Sequence, residues 1–114
     1  MWTIETALGR ILIRPTGYLD LEGSASAADI FEAELARLEG PCALYIDLQE
    51  LDGYEAEVRH MWQEVIHQHR HRFYEMVWVS DRAVFRMVAA SVSLVIGIPS
   101  RVVGSAEDPM RRAM

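Results

Sequence analysis

The chain has no lysine and no asparagine, one cysteine and four prolines. Without lysine, a phosphate-binding loop of the G-x-x-x-x-G-K-[ST] type is excluded. So is a receiver-type phosphoacceptor site, which needs a late lysine beside its aspartates. One cysteine, Cys42, can form no internal disulfide and can build no metal site alone. No G-x-G-x-x-G follows a strand, and no G-x-S-x-G nucleophile elbow occurs. Arg, Asp or Gly breaks every apolar run well before the ~18 residues of a membrane span. Glu5, Arg10 and Arg14 interrupt the basic-then-apolar pattern of a secretion signal. A cytoplasmic protein is expected, with no membrane span and no cofactor.

What is present suits a globular core. Of 114 residues, 51% are apolar and 25% charged, which predicts one domain over residues 1–114. The net charge is −6, so the chain repels phosphate backbones and nucleic-acid binding is disfavoured. The charge is also uneven. Residues 20–57 hold eleven acids against Arg37 alone, while the rest holds ten arginines and six acids. Such asymmetry serves solubility, or docking to a charged partner or a second copy.

Strand and helix signals alternate after an opening hairpin over residues 2–18, with Leu8-Gly9-Arg10 as its turn. Ser24 or Ser26 is the expected cap of a first helix carrying Ile30, Phe31, Leu35 and Leu38 on one face, which Gly40-Pro41 stops. Cys42–Leu48 is apolar on both faces, as a buried parallel strand is. Val58, Met61, Trp62, Val65 and Ile66 recur at i, i+3, i+4, i+7 and i+8 and predict an amphipathic helix over 55–71. Phe73–Val79 is the next strand. Ser80-Asp81 is the expected cap of a helix over 82–96, which Gly97-Ile98-Pro99 ends. A short strand at 101–104 and a final short helix from Ser105 complete the order ββαβαβαβα. Such alternation implies a mostly parallel sheet with helices packed around it.

Two helix faces bear on function. His60, Glu64, His67 and His71 form a stripe opposite Val58, Met61 and Val65. A metal would need further ligands from elsewhere, so the stripe reads as a solvated face. His69 falls on the apolar side as a core-edge residue. In the 82–96 helix, Val84, Val88 and Val95 form one apolar stripe and Phe85, Ala89 and Ile96 a second, with Met87 and Leu94 flanking. Only Arg82, Arg86 and Ser93 make a polar strip. That helix is more apolar than one sheet-facing side requires, which favours a partner or a second copy over it.

Three stretches resemble the STAS family, named for sulfate transporters and anti-sigma factor antagonists. Gly17-Tyr18-Leu19-Asp20 is similar to the family's Gly-x-Leu-Asp. Ala43-Leu44-Tyr45-Ile46-Asp47-Leu48 is similar to its third strand ending in Asp-Leu. Val77-Trp78-Val79-Ser80, the following helix and Gly97 resemble its fourth strand, third helix and closing glycine. The resemblance covers nearly the whole chain and implies a small STAS-like α/β domain. In that family Asp-Ser-Ser-Gly follows at a helix N-terminus, and a serine there is phosphorylated by a partner kinase. Aligned without gaps, that motif falls on Glu55-Ala56-Glu57-Val58, with Glu57 at the acceptor position. No serine or threonine stands there, so the phosphoserine switch is expected to be lost. Glu55 and Glu57 instead give the helix permanent first-turn carboxylates, either as ordinary helix chemistry or as a surface fixed in a charged state.

The expectation is a non-catalytic interaction module whose partner surface comprises Asp20, Asp52, Tyr54, Glu55, Glu57, Arg86 and Val88. The resemblance implies a kinase-like anti-sigma factor or similar as partner, with self-association as the other possibility. The alternative is a small-molecule or lipid-binding module of SEC14-like character, with a pocket lined by Trp62, Trp78, Phe85 and Met87.

Overall fold

A computed structural model describes residues 1–107. The predicted hairpin forms from β1 (Trp2–Ala7) and β2 (Arg10–Pro15), paired antiparallel with Trp2 opposite Pro15. The chain continues through β3 (Gly17–Leu19), α1 (Leu21–Arg37), β4 (Cys42–Asp47) and β5 (Leu51–Tyr54). It then forms α2 (Ala56–Gln68), β6 (Phe73–Val79), α3 (Ala83–Ile96) and β7 (Ser100–Val103). The main sheet has the order β1-β2-β4-β6-β7, and every pairing after the hairpin is parallel. The α/β class and the mostly parallel sheet are thus as the sequence predicts.

Sequence periodicity does not reveal β3 and β5. They pair parallel to each other in a separate two-stranded sheet, with Tyr18 opposite Gly53 and Leu19 opposite Tyr54. Gly53 matters there. A Cβ at this position would stand 3.2 Å from the Tyr18 ring, which lies across the glycine. This clip fixes the segment leading into α2.

The helices do not surround the sheet. Ile11, Ile13, Leu44, Ile46, Met76 and Trp78 share one core with buried residues of all three helices. The other face contributes Leu12, Ala43, Tyr45, Val77, Val79 and Val103 to a separate cluster without a helical residue. Arg14 pairs with the buried Asp47 at 3.1 Å, and Arg101 with Glu75 at 2.7 Å. By strand alternation these pairs flank that second cluster.

Several helix ends differ from the expectation. Asp20, not Ser24 or Ser26, caps α1, its Oδ1 accepting the Gly23 N–H at 2.8 Å. The reason is that β3 ends at Leu19, so the next residue is already placed to start a helix. Ser24 is a buried helical residue whose hydroxyl has no hydrogen-bond partner. The face α1 buries runs Ala27, Ala28, Phe31 and Leu35, while Ile30 is exposed. Helix α2 stops at Gln68, and a 3-10 turn over Arg70–Arg72 takes the chain into β6. His71 therefore lies outside the helix whose face it was expected to share. Arg82 caps α3 by position, and Ser80 Oγ accepts the Arg82 N–H at 3.2 Å. Asp81 turns instead to Ser105, and hydrogen bonds from the Ser105 hydroxyl and from its N–H, the latter at 2.9 Å, hold the Asp81 carboxyl below the ordinary range. Gly97 closes α3 in the left-handed region at φ 79°, as Gly-then-Pro punctuation predicts. Where the final helix was expected to open, Ser105–Glu107 form a 3-10 turn, and the rest of that expectation lies outside the described residues.

Candidate functional site

The N-termini of α1 and α2 meet at one corner. The Glu55 N–H donates to Leu19 O at 3.0 Å, and Glu55 Oε2 accepts the Leu21 N–H at 3.3 Å. Glu55 thus ties the start of α2 to the unpaired first turn of α1, where an anion is favoured. Asp20 and Glu55 are both engaged in this way rather than free on the surface. Asp52 on β5 and Glu57 in the first turn of α2 are exposed and project the corner's remaining charge. Tyr54 is half-buried, its ring centroid 6.4 Å from that of Phe85. Arg82 donates to Leu51 O and lies 4.8 Å over the Phe85 ring. The acidic segment 52–57 and the start of α3 are therefore neighbours.

Helix α3 is turned differently from what its polar strip suggests. Arg86 donates to Ser80 O at 2.9 Å and Val102 O at 3.4 Å, and Ser93 Oγ accepts the Trp78 Nε1–H at 3.0 Å. The strip faces the fold because strand-end carbonyls and a buried indole need partners there. Phe85, Ala89, Val92 and Ile96 fill the core side. What remains outside is mostly apolar, with Ser91 among it: Val84 is 61% exposed, Met87 70%, Leu94 85% and Val95 60%. Arg86 is thus committed to the protein's own carbonyls, and Val88 is half-buried against the core. Neither belongs to the exposed strip.

Between α2, α3 and the sheet lies an apolar cavity of about 90 Å³. Ile13, Leu19, Ile46 and Leu48 form its floor, with Val58 and Trp62 on one side and Phe85, Val88 and Val92 on the other. Trp62, Trp78 and Phe85 line it as the alternative reading expected, but the exposed Met87 does not. Sequence reasoning missed Arg59 and Gln63, one turn apart on α2, which also line the cavity. Their i, i+4 spacing beside Val58 and Trp62 was the available signal.

No protein-family model matches the sequence, and no curated protein does. Solved structures do match. A protein of the DUF3478 family with a SpoIIAA-like fold, from Shewanella loihica PV-4, superposes with a TM-score of 0.73 at 17% identity, over 97% of this chain and 88% of that one. The anti-sigma factor antagonist SpoIIAA in its unphosphorylated form matches with a TM-score of 0.62 at 9% identity, over 99% and 94%. The fold is SpoIIAA-like. A third match is in the complex of the diguanylate cyclase SiaD with its activator SiaC from Pseudomonas aeruginosa, with a TM-score of 0.55 at 17% identity, over 91% and 92%.

Within this SpoIIAA-like fold the histidine stripe divides. His60, Glu64 and His67 are exposed on α2, and His71 is exposed on the following turn. Among the described residues no group of three or more His, Cys, Asp or Glu side chains is placed to hold a metal. His69 sits at the core edge, its Nε2 2.7 Å from Glu32 Oε2, and joins α2 to α1. No helix among the described residues is long and apolar enough to cross a membrane.

Cys42 opens β4 and is buried, its thiol 3.7 Å from Arg72 O. Burial pushes the thiol above its ordinary value, and the Arg72 guanidinium offsets part of that. Little thiolate forms near neutral pH, and a thiolate is what reacts. Alkylation of the native chain by iodoacetamide at pH 8 should therefore run roughly tenfold or more slower than in urea. Equal rates would show that the thiol is reached without unfolding.

Proposed function

We propose that the chain is a non-catalytic regulatory module that works in the cytoplasm by binding another protein. The observation that carries this reading is the strip Val84, Met87, Leu94 and Val95 on α3, apolar and exposed. Four large exposed apolar side chains on one helix of a small domain favour a protein contact. Asp52 on β5 and Glu57 in the first turn of α2 are exposed at the corner that meets the start of α3, and would supply charge that orients a partner. Arg86 and Val88 anchor α3 to the fold and Tyr54 packs near Phe85, while Asp20 and Glu55 hold the starts of α1 and α2. The match to an anti-sigma factor antagonist and to a complex of an enzyme with its activator supports a fold suited to acting on other proteins. A kinase-like anti-sigma factor or similar is the partner that the sequence resemblance favours. Glu57 would stand where that resemblance places a phosphorylated serine, giving a fixed carboxylate with about half the charge of a phosphate.

The test uses Leu94→Asp and Glu57→Arg, both at exposed positions, in affinity capture and in size-exclusion chromatography with light scattering. Leu94→Asp should weaken a partner, or a second copy, by roughly 30-fold if Leu94 is a central contact. Glu57→Arg should slow association and change its salt dependence. The circular dichroism of both should match the parent. Retention of every partner and of the same oligomeric state by both variants would sink the proposal.

A further inference from the structure

We infer that the cavity between α2, α3 and the sheet binds a small amphiphilic anion, a carboxylate on a short apolar tail, with Arg59 holding the carboxylate. Protein interiors are close-packed and leave few voids larger than a water molecule. Here about 90 Å³ stays unfilled. A space bounded by Ile13, Leu19, Ile46, Val58, Phe85 and Val92 gives water too few hydrogen-bond partners to settle there. An apolar group would regain the contacts that the walls now lack.

The wall is apolar throughout, and the residues that carry polar ends line it with their apolar parts. Trp62 forms part of the wall, is 9% exposed, and has its indole N–H buried without a partner. Buried indoles ordinarily donate, as Trp78 does to Ser93. At the cavity's edge stand Arg59 and Gln63, both half-buried. Among the described residues neither side chain makes a hydrogen bond or an ion pair.

Among the described half-buried arginines, Arg59 is singular in this respect. Arg14, Arg72 and Arg86, equally half-buried, all donate to protein oxygens, and Arg10 lies 5.9 Å over the Tyr45 ring. The carboxylate one turn before Arg59, that of Glu55, is occupied by the Leu21 N–H. An unpaired guanidinium beside an apolar chamber is the complement of a carboxylate with a hydrocarbon tail, which it can take by two parallel bonds. Gln63 would donate to the same head group.

The volume selects the tail. An engineered apolar cavity of about 150 Å³ holds benzene. This smaller space, open toward the edge, takes about the last three or four carbons of a short tail, with the rest of the tail and the head toward the opening. A membrane lipid's acyl chain is too long, so the source is a free short-chain acid. The partner surface proposed above is separate from this site, since neither Leu94 nor Glu57 lines the cavity.

The chain reports on the site by itself, because Trp2, Trp62 and Trp78, its three tryptophans, all line it. The experiment titrates the full chain with hexanoate and, separately, with hexanol. Tryptophan fluorescence and the indole N–H resonances are followed. Hexanoate should give a saturable change that moves the Trp62 indole resonance. Arg59→Gln should weaken hexanoate about tenfold and leave hexanol unchanged. Val88→Trp, which fills the space, should abolish both; if it does not fold, the Arg59 variant still decides. No saturable response to hexanoate overturns the inference. So does hexanoate binding that Arg59→Gln leaves intact, or hexanol binding more tightly than hexanoate.

Discussion

Replacing Phe31 by alanine is expected to lower the free energy of unfolding by about 3–5 kcal/mol. Phe31 is fully buried on α1 and joins three parts of the core. Its ring meets Trp62 of α2 edge-on at 5.6 Å and stacks near Phe73 of β6 at 6.2 Å. Its neighbours on the buried face of α1 include Ala27 and Ala28, which are too short to collapse into the space. The lost transfer energy therefore adds to a cavity term, and edge-on aromatic contacts add up to about 1.5 kcal/mol. Against a total stability of about 5–15 kcal/mol for a domain of this size, the variant stands near unfolding. Urea titration measures the change directly. Phe31→Leu should cost far less, since it keeps most of the volume. A loss below about 1 kcal/mol for the alanine variant would show that α1 settles inward and that this contact does not organise the core.

Replacing Arg72 by alanine is expected to cost about 2–4 kcal/mol. Its guanidinium donates to Leu35 O at 3.2 Å, Leu38 O at 2.6 Å and Gly40 O at 3.2 Å. These acceptors lie at or just beyond the end of α1, where helical carbonyls lack partners and cations are favoured. One side chain thus closes α1, holds the turn before β4 and joins both to the strand after α2. The three bonds are lost together, so their energies do not simply add. Arg72→Lys keeps the charge but not the fork of donors and should recover less than half of the loss. Thermal and urea unfolding of the three forms decide this. Full recovery by lysine would mean that charge alone matters.

The parts of the fold legible in the sequence are those whose pattern and burial coincide. The hairpin, β4, β6 and the buried side of α2 follow from alternation, continuous apolar runs and the Val58–Trp62–Ile66 spacing. The β3–β5 clip was not legible, because Leu51-Asp52-Gly53-Tyr54 is too short to show a period and contains a glycine that reads as a turn. The start of α1 was misplaced because serines are good caps by type, whereas the end of β3 decides which residue holds the position. For α3, a helix apolar on nearly every side does not say which side faces inward. The carbonyls of Ser80 and Val102 and the indole of Trp78 settle that, and they come from other strands. The candidate site divides likewise. The grouping of segment 52–57 with α3 was an assumption that no pattern in either segment shows, and contacts such as Tyr54 with Phe85 come only from the fold. That Glu55 is engaged while Arg59, one turn later, is free depends on where α1 begins.

The sheet's connectivity also has a consequence for how the chain acquires its shape. Only β1 and β2 are joined locally; pairing Arg10 with Ala43, Cys42 with Phe73 and Met76 with Ser100 each requires closing a long segment first. Closing such segments costs entropy before any ladder rewards it, so folding is slower than for a helical bundle of equal length. Among the described residues β7 comes last in the chain and lies at one edge of the main sheet, so its detachment would leave the pairings among the other four strands of that sheet intact.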